Sequence, residues 1–441
     1  MSKTFRPWDV DQVWLLPPSI QDLVPEGHVA HFIRDTVRSA LDLSRIIDTY
    51  DEARGYPPYH PGMMVALLLY AYSQGIYSSR RIARGCEERL DFAAVTGMQR
   101  PDFRTVSDFR KRHLAALSGL FVQVLKLCKA AGLVKLGHVA LDGTKIKANA
   151  SKHKAMSYGR MKEAAPKLAA EVHRWLAQAA QIDKAEDRHF GAERRGDEMP
   201  EWVADKQARL EKIRAAKAAL EAEARAVETQ LAAKDDGPTD DGGRAEPEPP
   251  AAVPSDKAQR NFTDPESRIM KTKDGFIQGY NAQAAVDSHA QVIVAHDLTN
   301  ASNDQAQLRP LLDAIKANTG RNPDEASADA GYCSAANLRT LARRRIAAYV
   351  ATGRQRHGTK AAVNTRQAKP GSLLACMTAK LKRAGRRSRY RLRKQIVEPV
   401  FGQIKHARGF RQFLLRGIDK VRAEWAIICT VHNLLKLARV A

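Results

Sequence analysis

Three carboxylates stand out for what surrounds them. Asp142 follows the apolar run His138 to Leu141, Asp329 follows a short strand in EASADAGYCS, and Glu398 lies at the start of the apolar helix VEPVFGQIKHARGF. Singly, a strand-end aspartate is a turn residue and Glu398 is one surface carboxylate among many. Together they offer the hard oxygen ligands that Mg²⁺ or Mn²⁺ requires. Two such ions about 4 Å apart activate a water or a 3′-hydroxyl on one side of a phosphorus and stabilise the leaving oxygen on the other. The body of the chain suits that substrate. With 72 Lys and Arg against 49 Asp and Glu, its net charge of +23 attracts polyanions, DNA or RNA ahead of an acidic membrane.

The elements that must position these groups read as an α/β layer. One strand runs from His138 to Leu141 and breaks at Asp142-Gly143. GFIQGYNAQAAVD (275 to 287) and AQVIVAHDLTN (290 to 300) form a hairpin through a turn at Asp287. Asn303 or Asp304 caps a helix to about Lys316; a strand to Asp329, a helix from Ser334 to Arg345 and the strand 346 to 351 follow. Pro399 sets the start of its helix near Glu398, since proline is tolerated only in a first turn. Lys405 then falls two turns beyond Glu398 on the same side.

Residues 1–130 read as a helical N-terminal domain: basic residues near one helix start suggest a DNA-binding unit, and a helical bundle with a solvated charged face is the other reading. Pro61 opens a helix, Ser78 or Ser79 caps the next, and Thr105 or Ser107 caps a third, with Arg110, Lys111 and Arg112 just behind. Residues 131–160 begin the catalytic domain and 258–441 complete it. Between them, 161–235 carries a stripe from Val203 to Leu231 spaced by threes and fours, which predicts an inserted helical hairpin. Residues 236–257, rich in Pro, Gly and acid, read as a disordered loop. Five scattered cysteines without a CxxC pair argue against a zinc site or disulfide framework. The stretch Met63 to Tyr72 is about half of a membrane span, and no secretory leader is seen, so a cytoplasmic, nucleoid-associated bacterial protein is expected.

ALDGTKIKANAS, SADAGYCS and VEPVFGQIKHARGFRQFLLRG resemble the three signature segments of DDE transposases of bacterial insertion sequences. GYPPYHPGMMVALLLYAY and FRTVSDFRKRH resemble that family's helical N-terminal domain. The resemblance implies an RNase H-like core with a mixed five-stranded sheet, and Asp142, Asp329 and Glu398 as catalytic ligands of two Mg²⁺ or Mn²⁺ ions. It also implies binding of the element's inverted repeats, cleavage and strand transfer, with a homodimer on double-stranded DNA. Lys405 would touch DNA phosphate, as would Lys145 and Lys147. The family pattern has Arg four residues before the Glu and Tyr three before that; here Lys394 and Arg391 hold those places, with Tyr390 and Arg393 one place early. The basic run that includes Arg386, Arg387, Arg389, Arg391, Arg393 and Lys394 should follow the DNA backbone. A metal-dependent nuclease without strand transfer and an inactive DNA-binding regulator remain as alternatives.

Overall fold

The computed structural model describes residues 19–50, 58–190, 201–235, 253–272, 275–355, 362–363, 370–384 and 389–440. The chain is mixed α/β with a helical N-terminal part. Its main sheet holds β1 (His138–Lys147), β2 (Arg268–Thr272), β3 (Gly275–Asp287), β4 (Ile293–Thr299), β5 (Glu325–Ala328) and β6 (Ala347–Val350). β2 and β4 pair with the two halves of β3; β3 lies antiparallel to β1; β1, β5 and β6 run parallel. The sheet therefore has six strands where five were expected. The added one, RIMKT, has no apolar run to mark it, because it forms by folding back along Gly275 to Gly279.

β1 does not break at Asp142-Gly143, as the turn dipeptide predicts, but runs on to Lys147. Gly143 pairs with Gln283 of β3, and a Cβ there would stand 2.4 Å from the Gln283 Nε2. The glycine makes room within the strand and does not turn it. β5 ends sooner: its last pair with β1 is Leu141 with Ala328, so Asp142 and Asp329 are the next residue on each of two adjacent parallel strands.

The N-terminal part contains α1 (Val29–Ser39), α2 (Pro61–Ser73), α3 (Ser79–Glu88), α4 (Leu90–Thr96), α5 (Phe103–Arg112) and α6 (Leu114–Ala130). Pro61 is the first residue of α2, and His60 caps it by accepting from the Gly62 N–H at 3.1 Å. α5 is capped by Asp102, which accepts from Arg104 N–H at 2.7 Å; Thr105 and Ser107 lie inside it. α5 and α6 meet at His113 with a bend of 73°. No single helix among the described residues is long and apolar enough to cross a membrane.

α7 (Tyr158–Phe190) and α8 (Glu201–Asp235) pack on each other, with Val203, Leu210, Ile213 and Leu220 buried. Lys206 within that stripe reaches across to Glu171 at 2.8 Å, leaving its stem on the seam. Of the acidic loop expected over 236–257, residues 236–252 lie outside the described residues.

Completing the fold are α9 (Leu308–Thr319), α10 (Ala335–Arg343), α11 (Leu373–Ala384), α12 (Arg393–Gly402) and α13 (Ile418–Leu437). α13 is buried on nearly every side; Trp425 donates to the Gln283 carbonyl at 3.0 Å. Its main partners are α6 and β4, so the helical part and the sheet share one apolar core. A second seam joins them. The Tyr77 hydroxyl donates to the Arg408 carbonyl at 2.9 Å, and Tyr77 and Phe410 rings meet edge to face at 5.0 Å. Gly75 (φ +73°) fits there because a Cβ would lie 2.6 Å from the Arg408 oxygen.

Candidate active site

Side chains alternate along β1, turning Asp142 and Thr144 to one face and Gly143 to the other. On the first face lies α12, followed by one turn of π-helix, Gln403–Ala407. Arg393, the first residue of α12, donates from Nη1 to Asp142 at 2.5 Å and from Nη2 to Glu398 at 3.1 Å. Lys405, in the π-turn, donates to Thr144 Oγ1 at 3.0 Å and to the Lys145 carbonyl at 3.2 Å. Both ends of α12 are thus fastened to the same stretch of β1.

The helix starts five residues before Glu398, so Pro399 sits in its interior and not in its first turn. The carbonyl that Pro399 leaves without a helical donor, that of Gln395, accepts from Gln291 Nε2 at 2.9 Å. This early start explains the displaced motif. Arg393 lies five residues before Glu398 and reaches it, while Tyr390, in the preceding 3₁₀ turn, lies beneath the Arg393 guanidinium at 6.0 Å.

On the other face, Asp304 approaches from the turn before α9. Asn281 and Gln283, two buried amides on β3, both donate to its Oδ1 at 2.7 Å. Asp329 caps the turn after β5 by accepting from Gly331 N–H at 2.9 Å. Its other neighbour is Asp304: Asp304 Oδ2 and Asp329 Oδ1 each lie 3.0 Å from where a Gly331 Cβ would stand. Asp329 is thus flanked by Asp142 and Asp304. Asp304 drew attention only as a helix cap. The signal that could have found it is the pair of polar residues, Asn281 and Gln283, in an otherwise buried strand, because buried amides require partners.

Burial dominates the electrostatics. It pushes the Asp142 carboxyl up to about 7 against the pull of the Arg393 guanidinium, with the Asp329 charge adding to the rise. Asp329 is raised by burial and then by Asp304. Glu398 is 46% exposed, at the outer end of the Arg393 bridge.

A cleft of about 1550 Å³ opens over this region. Asp304, Asp329, Gly143 and Gly331 line it, together with Lys145, Lys147, Lys405 and Arg411. Asp142 and Glu398 are not among the residues that line it. Among the described residues no three Asp, Glu, His or Cys already stand as a metal shell. The donor chemistry nonetheless fits a hard cation: buried carboxylate oxygens, two glycines that leave space beside them, and a guanidinium held where positive charge is needed.

The remaining predicted DNA contacts divide. Lys145 and Lys147 line the cleft, and the Lys145 ammonium donates to the Lys271 carbonyl at 3.2 Å. Lys111 and Arg112 are exposed, Lys111 beside Asp108 at 3.4 Å. Arg110 is a correction: it is 6% exposed and donates to the Tyr72 hydroxyl at 2.9 Å and the Tyr77 carbonyl at 3.0 Å, so it holds the core and does not face DNA. Arg393 likewise faces carboxylates within the protein. Arg389 pairs with Glu325 at 2.9 Å, and Arg391 and Lys394 are exposed. Arg386 and Arg387 lie outside the described residues. Asp287 is buried and accepts from Leu136 N–H at 2.6 Å and His289 N–H at 2.8 Å, which makes it a loop support. Asp264 accepts from the Tyr280 hydroxyl at 2.8 Å and Gly417 N–H at 3.2 Å.

Comparison with curated proteins and with solved structures gave no match. Two family models do match, a transposase domain over residues 18–112 and a transposase DDE domain over residues 250–434. The second spans Asp329, Glu398 and Lys405 but stops short of Asp142, which β1 delivers to the same place. With both matches in chain order around one carboxylate site, the chain belongs to the DDE transposases of insertion sequences.

Proposed function

We propose that the protein binds the terminal inverted repeats of its own element and catalyses strand cleavage and strand transfer from an RNase H-like core. The observation that carries this reading is the register of Asp142 and Asp329 on adjacent parallel strands, beside a cleft lined by lysines. Residues 1–130 would recognise the repeats; 131–160 and 258–441 would form the catalytic domain, with the hairpin 161–235 as an appendage. A dimer would hold two ends, within the bacterial cytoplasm.

DDE transposases use divalent metal ions. Asp142, Asp329 and Glu398 would hold Mg²⁺ or Mn²⁺, two ions per site, which supply Lewis acidity to the scissile phosphate and a more acidic attacking hydroxyl. The chain's own residues do the rest. β1 and β5 fix the two aspartates. Lys405, Lys145 and Lys147 orient the backbone phosphates along the cleft. Arg393 bridges Asp142 and Glu398 and neutralises them where an ion would otherwise do so; released from either, its guanidinium would be available to a backbone phosphate. No Ser or Tyr nucleophile is required, because the attacking oxygen comes from water or from the DNA 3′ end.

The test is incubation of the full chain with Mg²⁺ and a duplex ending in the element's own repeat, plus a second DNA. Cleavage at the element end followed by joining is the expected result. Cleavage without joining would make the protein a nuclease, and binding without cleavage a regulator.

A further inference from the structure

Asp304 has no role in the three-carboxylate scheme, yet its side chain is the most deliberately held of the four carboxylates. Two amides two residues apart on β3, Asn281 and Gln283, both spend a donor on the same oxygen at 2.7 Å. Both amides are buried, and Gln283 is further engaged: its Oε1 accepts from the buried Tyr332 hydroxyl. With Oδ1 clamped, Oδ2 has one direction left. It faces Asp329: the two oxygens each lie 3.0 Å from the Gly331 Cβ position, so they are no more than 6.0 Å apart. Side chains are missing where they would intervene. A Cβ on Gly143 would fall 2.6 Å from Asp304 Oδ1, and one on Gly331 would fall between the two carboxylates. Asp304 also lines the cleft with Asp329, while Glu398 does not, standing half-exposed on the opposite face of β1.

A capping aspartate needs none of this. The turn that follows Asp304 is made by its backbone carbonyl, which accepts from Gln307 N–H at 2.9 Å, and its side chain makes no cap bond. Two part-buried carboxylates whose facing oxygens lie no more than 6.0 Å apart repel one another, and a cation shared between them relieves that repulsion.

Resting on the metal-dependent reading above, we infer that Asp304 is a positioning residue for a divalent cation on the Asp329 side of the site. It adds a fixed negative charge from the face opposite Arg393 and holds the cation against Asp329. Glu398 serves the other side, where Arg393 now stands.

The experiment measures Mn²⁺ binding to the full chain without DNA, by titration calorimetry and by electron paramagnetic resonance of free Mn²⁺. Asp304→Asn keeps an acceptor for both amides and removes only the charge. It should weaken Mn²⁺ binding about 10- to 100-fold with an unchanged melting temperature. Asp304→Ser, shorter and still an acceptor, should do the same if the Asn form melts early. Asp142→Asn serves as the reference. If Asp142→Asn abolishes binding while both Asp304 variants bind within twofold of the parent, Asp304 is structural and the inference fails. If Asp142→Asn also binds normally, it is the metal site that fails. An unclamped control, Asn281→Ala, should weaken Mn²⁺ binding less than Asp304→Asn; an equal loss in a protein of lowered melting temperature would assign the effect to folding.

Discussion

Arg393 Nη1 and Asp142 Oδ2 meet at 2.5 Å with side chains only 13% and 15% exposed, so the most buried of the catalytic candidates is already matched to a positive charge. A guanidinium there keeps the carboxylates together without a metal. Arg393→Ala removes that charge and leaves Asp142 and Asp329 facing one another. Loss of one partner of a buried pair costs on the order of 3 kcal/mol, so the metal-free variant should melt several degrees lower. Added Mn²⁺ should restore the loss and stabilise the variant more than the parent, as read by melting curves with and without the ion. A parent that gains as much as the variant would contradict this arrangement.

Asp142→Ala and Asp329→Ala should each lower Mg²⁺-dependent cleavage by about 1000-fold or more, the scale of several kcal/mol of lost transition-state stabilisation. Binding of repeat DNA should change little, because the lysines lining the cleft remain. Gel-shift and cleavage assays on the same preparations separate the two effects; equal loss of both would reject the catalytic assignment.

Much of this was legible in the chain. Asp142 and Asp329 each close an apolar run; β5 does end just before Asp329, whereas β1 runs on past Asp142 to Lys147, and only their parallel pairing brings the two aspartates side by side. Two things were hidden. Asp142-Gly143 reads as a turn because the dipeptide favours turns, and only the partner strand shows that Gly143 is a gap for Gln283. Arg110 reads as a DNA contact beside Lys111 and Arg112, yet helical spacing turns it inward to Tyr72, a pairing 38 residues away. Local pattern carries direction along a helix or strand; it does not carry what lies across the gap.

Gly143→Ala tests that gap directly. Its Cβ would meet Gln283 Nε2 at 2.4 Å, Asp304 Oδ1 at 2.6 Å and Asn281 Oδ1 at 2.8 Å. Forced overpacking costs about 1–3 kcal/mol. Chemical denaturation should show that loss, together with weaker Mn²⁺ binding; an alanine tolerated without cost would mean the clamp is loose.

The lysines of the cleft predict a salt dependence. Lys145→Ala and Lys147→Ala should each reduce the slope of log K against log salt by about one, for repeat and unrelated DNA alike. A change confined to repeat DNA would make them readers of sequence.

Glu424 supplies a pH test outside the site. It is buried in α13, accepts from Leu414 and Leu415 N–H at 3.1 Å, and burial pushes it up to about 7 from the ordinary 4.5. With the folded value raised, its contribution to stability is greatest below about 4.5 and falls as pH rises to about 7. The difference amounts to roughly 3 kcal/mol. Glu424→Gln should flatten stability between these pH values, measured by urea denaturation across the range.

Tyr77 holds the Arg408 carbonyl, three residues beyond Lys405, and Gly75 makes room for it. The part of the molecule that would meet the repeat therefore grips the strap carrying the cleft's lysine. A tilt of the N-terminal helices on engaging the correct end would tug Lys405 along β1. Licensing of the cut by recognition would then be mechanical, and Tyr77→Phe would loosen the transmission while leaving both ends intact.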